Sequence, residues 1–384
     1  MTMAILHAFS RKNAGDGLLV DLTLRVLEQA GLDPRACRIL ALDAPSFGDL
    51  PEVRSVPGEP RGARLSLRVA GAALEVLRSG AAEVAGRLRV GHVSGDVDAM
   101  LQGVSGLVAV GGGYLVADSV VRQGGVLLNH MPQLLAAGRA AVPSVYLPQS
   151  IGPLRGPVGE LTRRALARID VIYARDDETL AELAGLTDVR RCPDLAVLRV
   201  AEALSTLRLP SGGAGGPTVV VGRALPNASG YPQRLQRLGA AVPSPLWAVQ
   251  ADVDGPRSDR QFLRSLGLPD AGDLSALLPH RSPGVVVSVR LHGAIASLLA
   301  GWPAIHLSYE RKGYGAYEDL GISEWVHDAR GFDVDKVRAQ VLELHNDPRP
   351  LFARIEGRLP ALKRAHDDLV AELATRFCSG ARAV

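Results

Sequence analysis

Lysine is almost missing from this chain of 384 residues: of 43 basic residues, only Lys12, Lys312, Lys336 and Lys363 are lysine. Base composition of the gene is the ordinary cause, but two of the four fall in loops that stand out for other reasons. Aromatic residues are only 4% of the chain, too few for the stacking platforms that grip single-stranded nucleic acid. A net charge of +3 over this length gives no basic face of the kind that binds duplexes. The three cysteines, Cys37, Cys192 and Cys378, are odd in number and far apart. They exclude a disulfide framework or a zinc knuckle and point to buried thiols in a reducing compartment. No stretch reaches the roughly eighteen unbroken apolar residues of a membrane span. The opening Met-Thr-Met-Ala-Ile-Leu-His-Ala-Phe runs into a strand without a charged n-region. A soluble, cytoplasmic protein is expected.

What is present reads as an ordinary globular chain, 47% hydrophobic and 22% charged, long enough for two domains. The first half alternates strand and helix. Strands are expected at Ala4–Phe9, Arg38–Leu42, Gly106–Val110, Ser144–Leu147 and Asp170–Ala174. Helices are expected at Leu18–Ala30, Ser66–Ala85, Leu127–Ala137 and Gly159–Ile169, with Ala44–Arg64 as a long loop. Residues 209–217, Leu-Pro-Ser-Gly-Gly-Ala-Gly-Gly-Pro, read as a linker. The rhythm then restarts with strands at Thr218–Val221, Leu246–Gln250, Val285–Val289 and Ala304–Leu307. The expected class is therefore α/β, with two Rossmann-like doubly wound domains facing across a cleft. The boundaries read as 1–208, linker 209–217, 218–350, and a helical tail 351–384 broken near Pro360.

The chemistry gathers where strands end, the edge at which open α/β sheets hold ligands. Val285–Val289 feeds Arg290-Leu291-His292, and Ala304–Leu307 feeds Ser308-Tyr309-Glu310-Arg311-Lys312. A guanidinium directly after an apolar strand needs an anion or a carboxylate, because an unpaired buried charge is costly. His292 supplies a titratable acid beside it, although a histidine near a strand end is often only structural. Asn13-Ala14-Gly15-Asp16-Gly17 opens a helix whose free N–H groups attract anions, or is a plain turn capped by Asp16. Gly111-Gly112-Gly113 lets a ligand approach the backbone closely. It matches neither the dinucleotide fingerprint nor the P-loop. Arg175-Asp176-Asp177 reads as a capped helix start in which Arg175 is left as a second guanidinium to face Arg290. Asp252 and Asp254 alternate as carboxylates do when they hold a divalent cation between phosphates, although surface acids are commoner.

As a set, these loops resemble the polysaccharide pyruvyl transferase family. The matching elements are Asn13-x-Gly15-Asp16, Gly111-Gly112-Gly113, Gln149-Ser150-Ile151-Gly152-Pro153, Arg175-Asp176, Pro193-Asp194-Leu195, Arg290-Leu291-His292 and Ser308-Tyr309-x-x-Lys312. They occur in the family's order. The resemblance implies a glycosyltransferase-B-like fold that binds phosphoenolpyruvate and moves its three-carbon unit onto two sugar hydroxyls as a ketal. It implies that Arg290, Leu291 and His292 line the phosphoenolpyruvate site, with Arg175 a further anion contact and Lys312 the lysine of the family's tyrosine–lysine element. Asn13, Gly15, Asp16, Gly111, Gly112, Gly113, Gln149 and Tyr309 are the other substrate-binding candidates. Pyruvyl transfer needs no cofactor. The competing expectations are a nucleotide-sugar enzyme on the same scaffold, using Mg²⁺ or Mn²⁺ at Asp252 and Asp254, and a non-catalytic sugar-binding relative.

Overall fold

The computed structural model describes residues 1–56, 95–186, 188–204, 213, 215–252 and 258–378. The helix expected over residues 66–85, most of the linker at 209–217, and Asp254 lie outside the described residues. The chain divides into two compact units. One comprises residues 1–11, 19–192 and 368–384, and the other comprises residues 12–18 and 193–367.

The first unit is built on a parallel sheet of β1 (Met3–Ala8), β2 (Cys37–Ala41), β3 (Val53–Ser55), β4 (Gly106–Ala109), β5 (Gly112–Ala117), β6 (Ser144–Leu154), β7 (Val171–Ala174) and β8 (Val189–Arg191). Its strand order is β3-β2-β1-β4-β6-β7-β8, with β5 paired to β6. The second unit carries β9 (Thr218–Val221), β10 (Pro245–Ala248), β11 (Val285–Ser288), β12 (Ala304–Ser308) and β13 (Val326–Asp328), ordered β10-β9-β11-β12-β13 and all parallel. Strands β9 and β11 are valine runs buried on both faces, as a helix-covered parallel sheet requires. Each such valine contributes about 1.5–3 kcal/mol through burial. In each sheet the order reverses once, between β1 and β4 and between β9 and β11. A doubly wound sheet opens a crevice at that reversal.

Four expectations are corrected. The units part at Cys192/Pro193, ahead of the expected linker, because the helix Leu195–Leu204 buries its apolar side against the helix Leu291–Leu299 of the second unit. Gly111-Gly112-Gly113 is not a loop; it leads into β5. Gln149–Pro153 is not a loop either, since β6 runs on through it to Leu154. The C-terminal helix continues unbroken from Arg349 to Cys378 with Pro360 inside it. Pro360 is exposed, so water can take the carbonyl that its missing N–H leaves free.

Candidate functional site

The second unit gathers most of the chemistry-bearing residues at the carboxyl ends of β11 and β12, and it builds two adjacent helix starts in the same way. After β11, Ser288 Oγ donates to the carbonyl of Arg290 at 2.8 Å; after β12, Ser308 Oγ donates to that of Glu310 at 2.6 Å. Five residues beyond each serine stands a glycine. A Cβ on Gly293 would lie 2.8 Å from Ser288 Oγ, and one on Gly313 would collide with Ser308 Oγ and the His306 ring. Arg290 and Glu310 are the N-caps, so His292 and Lys312 each become the second residue of a helix. The repeat Ser-x-x-x-x-Gly is thus what puts these two side chains at equivalent places on paired strands.

Arg290 is held by a carboxylate that no sequence motif had indicated. Its Nε donates to Asp259 Oδ1 and Oδ2 at 3.1 and 3.2 Å, and its Nη2 to Oδ1 at 2.5 Å. Asp259 is fully buried, and its Oδ2 also accepts the backbone N–H groups of Gln250 and Ala251 at 3.2 and 2.9 Å. Burial pushes the Asp259 carboxyl up, while Arg290 and the two backbone donors pull it down. The guanidinium keeps an edge towards solvent, with its side chain 11% exposed. A clamp of this kind spends one side of the fork internally and fixes the direction of the other.

His292 lies between two further acids. Its Nε2 is buried without a hydrogen-bond partner among the described residues and stands 4.0 Å from Asp194 Oδ2. Asp194, in turn, accepts the N–H of Ala196 at the start of the helix Leu195–Leu204. The other side of the ring rests on Gly15, where a Cβ would come within 2.5 Å of Nδ1. Asn13 is not a free ligand group: its Nδ2 donates to Asp16 Oδ2 at 2.8 Å, and its Oδ1 accepts from the Gly15 N–H. Asp16 is pushed up by burial and drawn down by His292, the Asn13 bond, Lys312 and Arg290, so all of these surround one carboxyl. Lys312 Nζ sits 2.8 Å from Glu310 Oε2. Leu291 is buried in the same first turn, and the Tyr309 hydroxyl accepts from Arg223 Nη1 at 2.6 Å.

The remaining candidates belong to the first unit or take other roles. A Cβ on Gly111 would lie 2.6 Å from the Pro148 carbonyl oxygen, so this glycine permits strand contact. Gly112 pairs with the fully buried Gln149 across β5 and β6, and Gly113 is exposed. Arg175 is buried and donates from Nε to Ser150 Oγ at 2.8 Å; the same hydroxyl bonds Asp176. Asp176 caps its helix by accepting the Thr179 N–H, which is the plain reading of that turn. Asp252 is committed to Ser258 Oγ and Arg260 Nε, both at 2.9 Å, and the Arg260 bond holds it below the usual carboxylate range. Arg260 is thus the cation that Asp252 faces in this structure, and Asp254 lies outside the described residues. Among the described residues no group of three or more His, Cys, Asp or Glu is arranged to hold a metal ion.

Buried neutral histidines make both units sensitive to acid. Burial lowers His130 in the first unit and His306 in the second to about 4. The His306 Nδ1 also bonds the Ser288 carbonyl at 2.8 Å, beneath the site. A lowered folded value means that the unfolded chain binds the proton first. Their contribution is complete above the unfolded value near 6.5 and disappears as the pH falls towards 4, at up to about 1.4 kcal/mol per pH unit for each histidine. Asp16 and Asp259, which burial raises, act in the opposite sense closer to pH 4. Urea unfolding at pH 7.5, 6 and 5 should give a falling midpoint, and His130→Gln should flatten that fall. An identical slope in the variant would remove His130 from the account.

No curated protein sequence matches the chain. Among solved structures, the chain is similar to a UDP-N-acetylglucosamine 2-epimerase at 11% identity and a TM-score of 0.50, covering 100% of this chain and 97% of that one. It is also similar to Arabidopsis thaliana UGT89C1, solved with UDP-L-rhamnose, at 13% identity and a TM-score of 0.50, covering 97% of this chain and 98% of that one. Identities this low establish the fold alone, and the fold is glycosyltransferase-B-like. The family model described as polysaccharide pyruvyl transferase matches residues 13–247, more than half of the chain. That stretch contains the Asn13 turn, Arg175 and Asp194, and it is on this match that the chain belongs to the polysaccharide pyruvyl transferase family and is a transferase.

Proposed function

We propose that the protein transfers the pyruvyl unit of phosphoenolpyruvate onto two hydroxyls of a sugar, and that the cluster around His292 performs the transfer. The observation that carries this reading is His292 Nε2, a buried nitrogen without a hydrogen-bond partner among the described residues, set among Asp16, Asp194, Arg290 and Lys312 in a family member. Orphaned buried polar atoms are rare and call for an explanation, and a reacting group is one.

The chemistry fits the groups. The methylene carbon of phosphoenolpyruvate must gain a proton before its neighbouring carbon can accept a sugar oxygen. That carbon then forms two C–O bonds and loses its bond to phosphate, and the two hydroxyl protons balance the new C–H bond and the departing phosphate. His292 is the proton donor. The Asp194 carboxylate across from Nε2 orients the ring and steadies its positive form. Arg290, fixed by Asp259, and Lys312 answer the substrate's carboxylate and phosphate.

The direct test is ligand-induced stabilisation of the purified protein. Phosphoenolpyruvate at about 100 times its dissociation constant should add ~2.7 kcal/mol and raise the melting temperature. Inorganic phosphate and pyruvate at the same concentration should do less. A melting temperature that phosphoenolpyruvate leaves unchanged, with a metal-dependent rise on adding UDP- or GDP-sugars, would replace this reading with the nucleotide-sugar one.

A further inference from the structure

Forming a ketal from phosphoenolpyruvate moves protons in two directions. One proton enters at the methylene carbon, and each sugar hydroxyl loses one as its oxygen bonds to the central carbon. A single side chain cannot give a proton and take one in the same step. His292 therefore needs a second group at the same site, ionised while the histidine is protonated. The second unit holds one that the transfer chemistry leaves unassigned, Asp16.

The turn that carries Asp16 follows β1 in the chain but belongs by its contacts to the second unit. Two backbone links fasten it there. Asn13 forms an antiparallel bridge with Ala251, and the Asp252 N–H donates to the Lys12 carbonyl at 3.3 Å. Gly15 then seats against the His292 ring, which delivers the next residue, Asp16, to the same place. Asp16 Oδ2 accepts from Asn13 Nδ2 at 2.8 Å, while Oδ1 takes no hydrogen bond among the described residues. The groups that face this carboxyl are His292, Lys312 and Arg290, from two other helix starts, and Asn13 on its own turn. Each of the three basic groups has another acid: Arg290 binds Asp259, Lys312 binds Glu310, and His292 stands across from Asp194. They draw the Asp16 carboxyl down only partly against the burial that pushes it up. A carboxylate whose neighbouring cations answer to other acids keeps its affinity for a proton, as a base requires.

We infer that Asp16 takes the proton of the first sugar hydroxyl and passes it to the departing phosphate, an assignment that rests on the pyruvyl-transfer reading. The steps balance. His292 gives its proton to the methylene carbon, and the first hydroxyl oxygen bonds to the central carbon as its proton moves to Asp16. The bond from that carbon to the phosphate oxygen breaks with its electron pair, and the phosphate leaves carrying the proton from Asp16. The second hydroxyl oxygen bonds to the same carbon, and its proton returns to the neutral His292. Both side chains end in the states in which they began.

Asp16→Asn tests this with little disturbance, because asparagine keeps the size of the side chain and an oxygen for Asn13 Nδ2. Phosphoenolpyruvate binding is measured by titration calorimetry, and transfer by phosphate release with methyl glycosides of glucose, galactose and mannose as acceptor probes. The rate should fall about 10²–10⁴-fold in the variant. Phosphoenolpyruvate should bind as tightly as to the wild type or a few-fold more tightly, because a negative charge has left the surroundings of an anionic ligand. Asp16→Glu, which restores the carboxylate, should regain part of the rate. An Asp16 that only holds Arg290 and Lys312 in place would instead loosen phosphoenolpyruvate in step with the rate, and that result overturns the assignment. Unchanged turnover in Asp16→Asn overturns it as well and leaves the pyruvyl-transfer reading intact. If the wild type pyruvylates none of the probes, affinity alone decides: looser binding in the variant counts against a base, and equal or tighter binding supports one. A wild-type protein that does not bind phosphoenolpyruvate ends the pyruvyl-transfer reading, and the role of Asp16 ends with it.

Discussion

Replacing His292 with glutamine should lower the turnover of pyruvyl transfer by about 10²–10⁴-fold, the usual range for losing a general acid or base, with phosphoenolpyruvate affinity altered only a few-fold. Glutamine preserves the size of the ring and one hydrogen-bonding end, but it cannot deliver a proton. The neighbourhood that makes histidine effective is specific. Asp194 stands 4.0 Å from Nε2, and Gly15 leaves no room on the Nδ1 side, so the ring has one seat. Gly15→Ala makes the same point without touching a reacting group. Its Cβ, 2.5 Å from Nδ1, would push the ring aside, and a displacement of about an ångström can cost ~10²-fold in rate. Gly15 has no positive φ that would strain an alanine, so the variant should fold. Single-turnover rates and phosphoenolpyruvate affinity measured for both variants decide the matter. A His292→Gln enzyme with wild-type turnover would end the proton-donor assignment.

Arg290→Ala should destabilise the second unit by about 3–5 kcal/mol, because it strands a buried carboxylate rather than merely deleting a surface charge. Asp259 is fully buried, and among the described residues the N–H groups of Gln250 and Ala251 would remain to hold its charge. Without the guanidinium, burial pushes the carboxyl further up. A carboxyl raised in the folded state loses stability as pH rises through that value and keeps it below the unfolded value near 3.9. The penalty should therefore shrink in acid and reach its full size near neutrality. Urea unfolding at pH 4 and pH 7 measures both quantities. Arg290→Met with Asp259→Leu, which removes the whole pair, should recover much of the loss. A cost below 1 kcal/mol for Arg290→Ala at pH 7 would mean that water reaches Asp259 and that the clamp is weak. The result also governs how activity is read: an inactive Arg290→Ala protein says little about catalysis until its folding has been measured.

Both predictions depend on residues that differ in how visible they are in the chain. Arg290, His292 and Lys312 stand out because each closely follows an apolar strand, a place where charge has no local structural purpose. The same signal marks Arg223, directly behind Thr218–Val221 and Gly222, and reading it there would have found the second cation at the strand reversal. The spacing of Ser288 to Gly293 and Ser308 to Gly313 is also written in the sequence, although its meaning emerges only when each glycine is seen beneath its serine hydroxyl. Asp259 carries no such mark. It lies 31 residues before Arg290 and looks like any acid at a helix start.

The valine runs and their rhythm of strand and helix determined the fold class by themselves, because a strand buried on both faces has to be apolar throughout. Strand ends likewise singled out Arg290, His292 and Lys312 as candidates, and the structure brings them to one sheet edge. Tertiary structure alone decided the partners. It gave Asp252 the partner Arg260, led the triple glycine into a strand, and set the division of the chain at Pro193. The reason is physical. Periodicity records which side of an element avoids water, a local property, whereas the pairing of charges depends on which distant segments share a buried space.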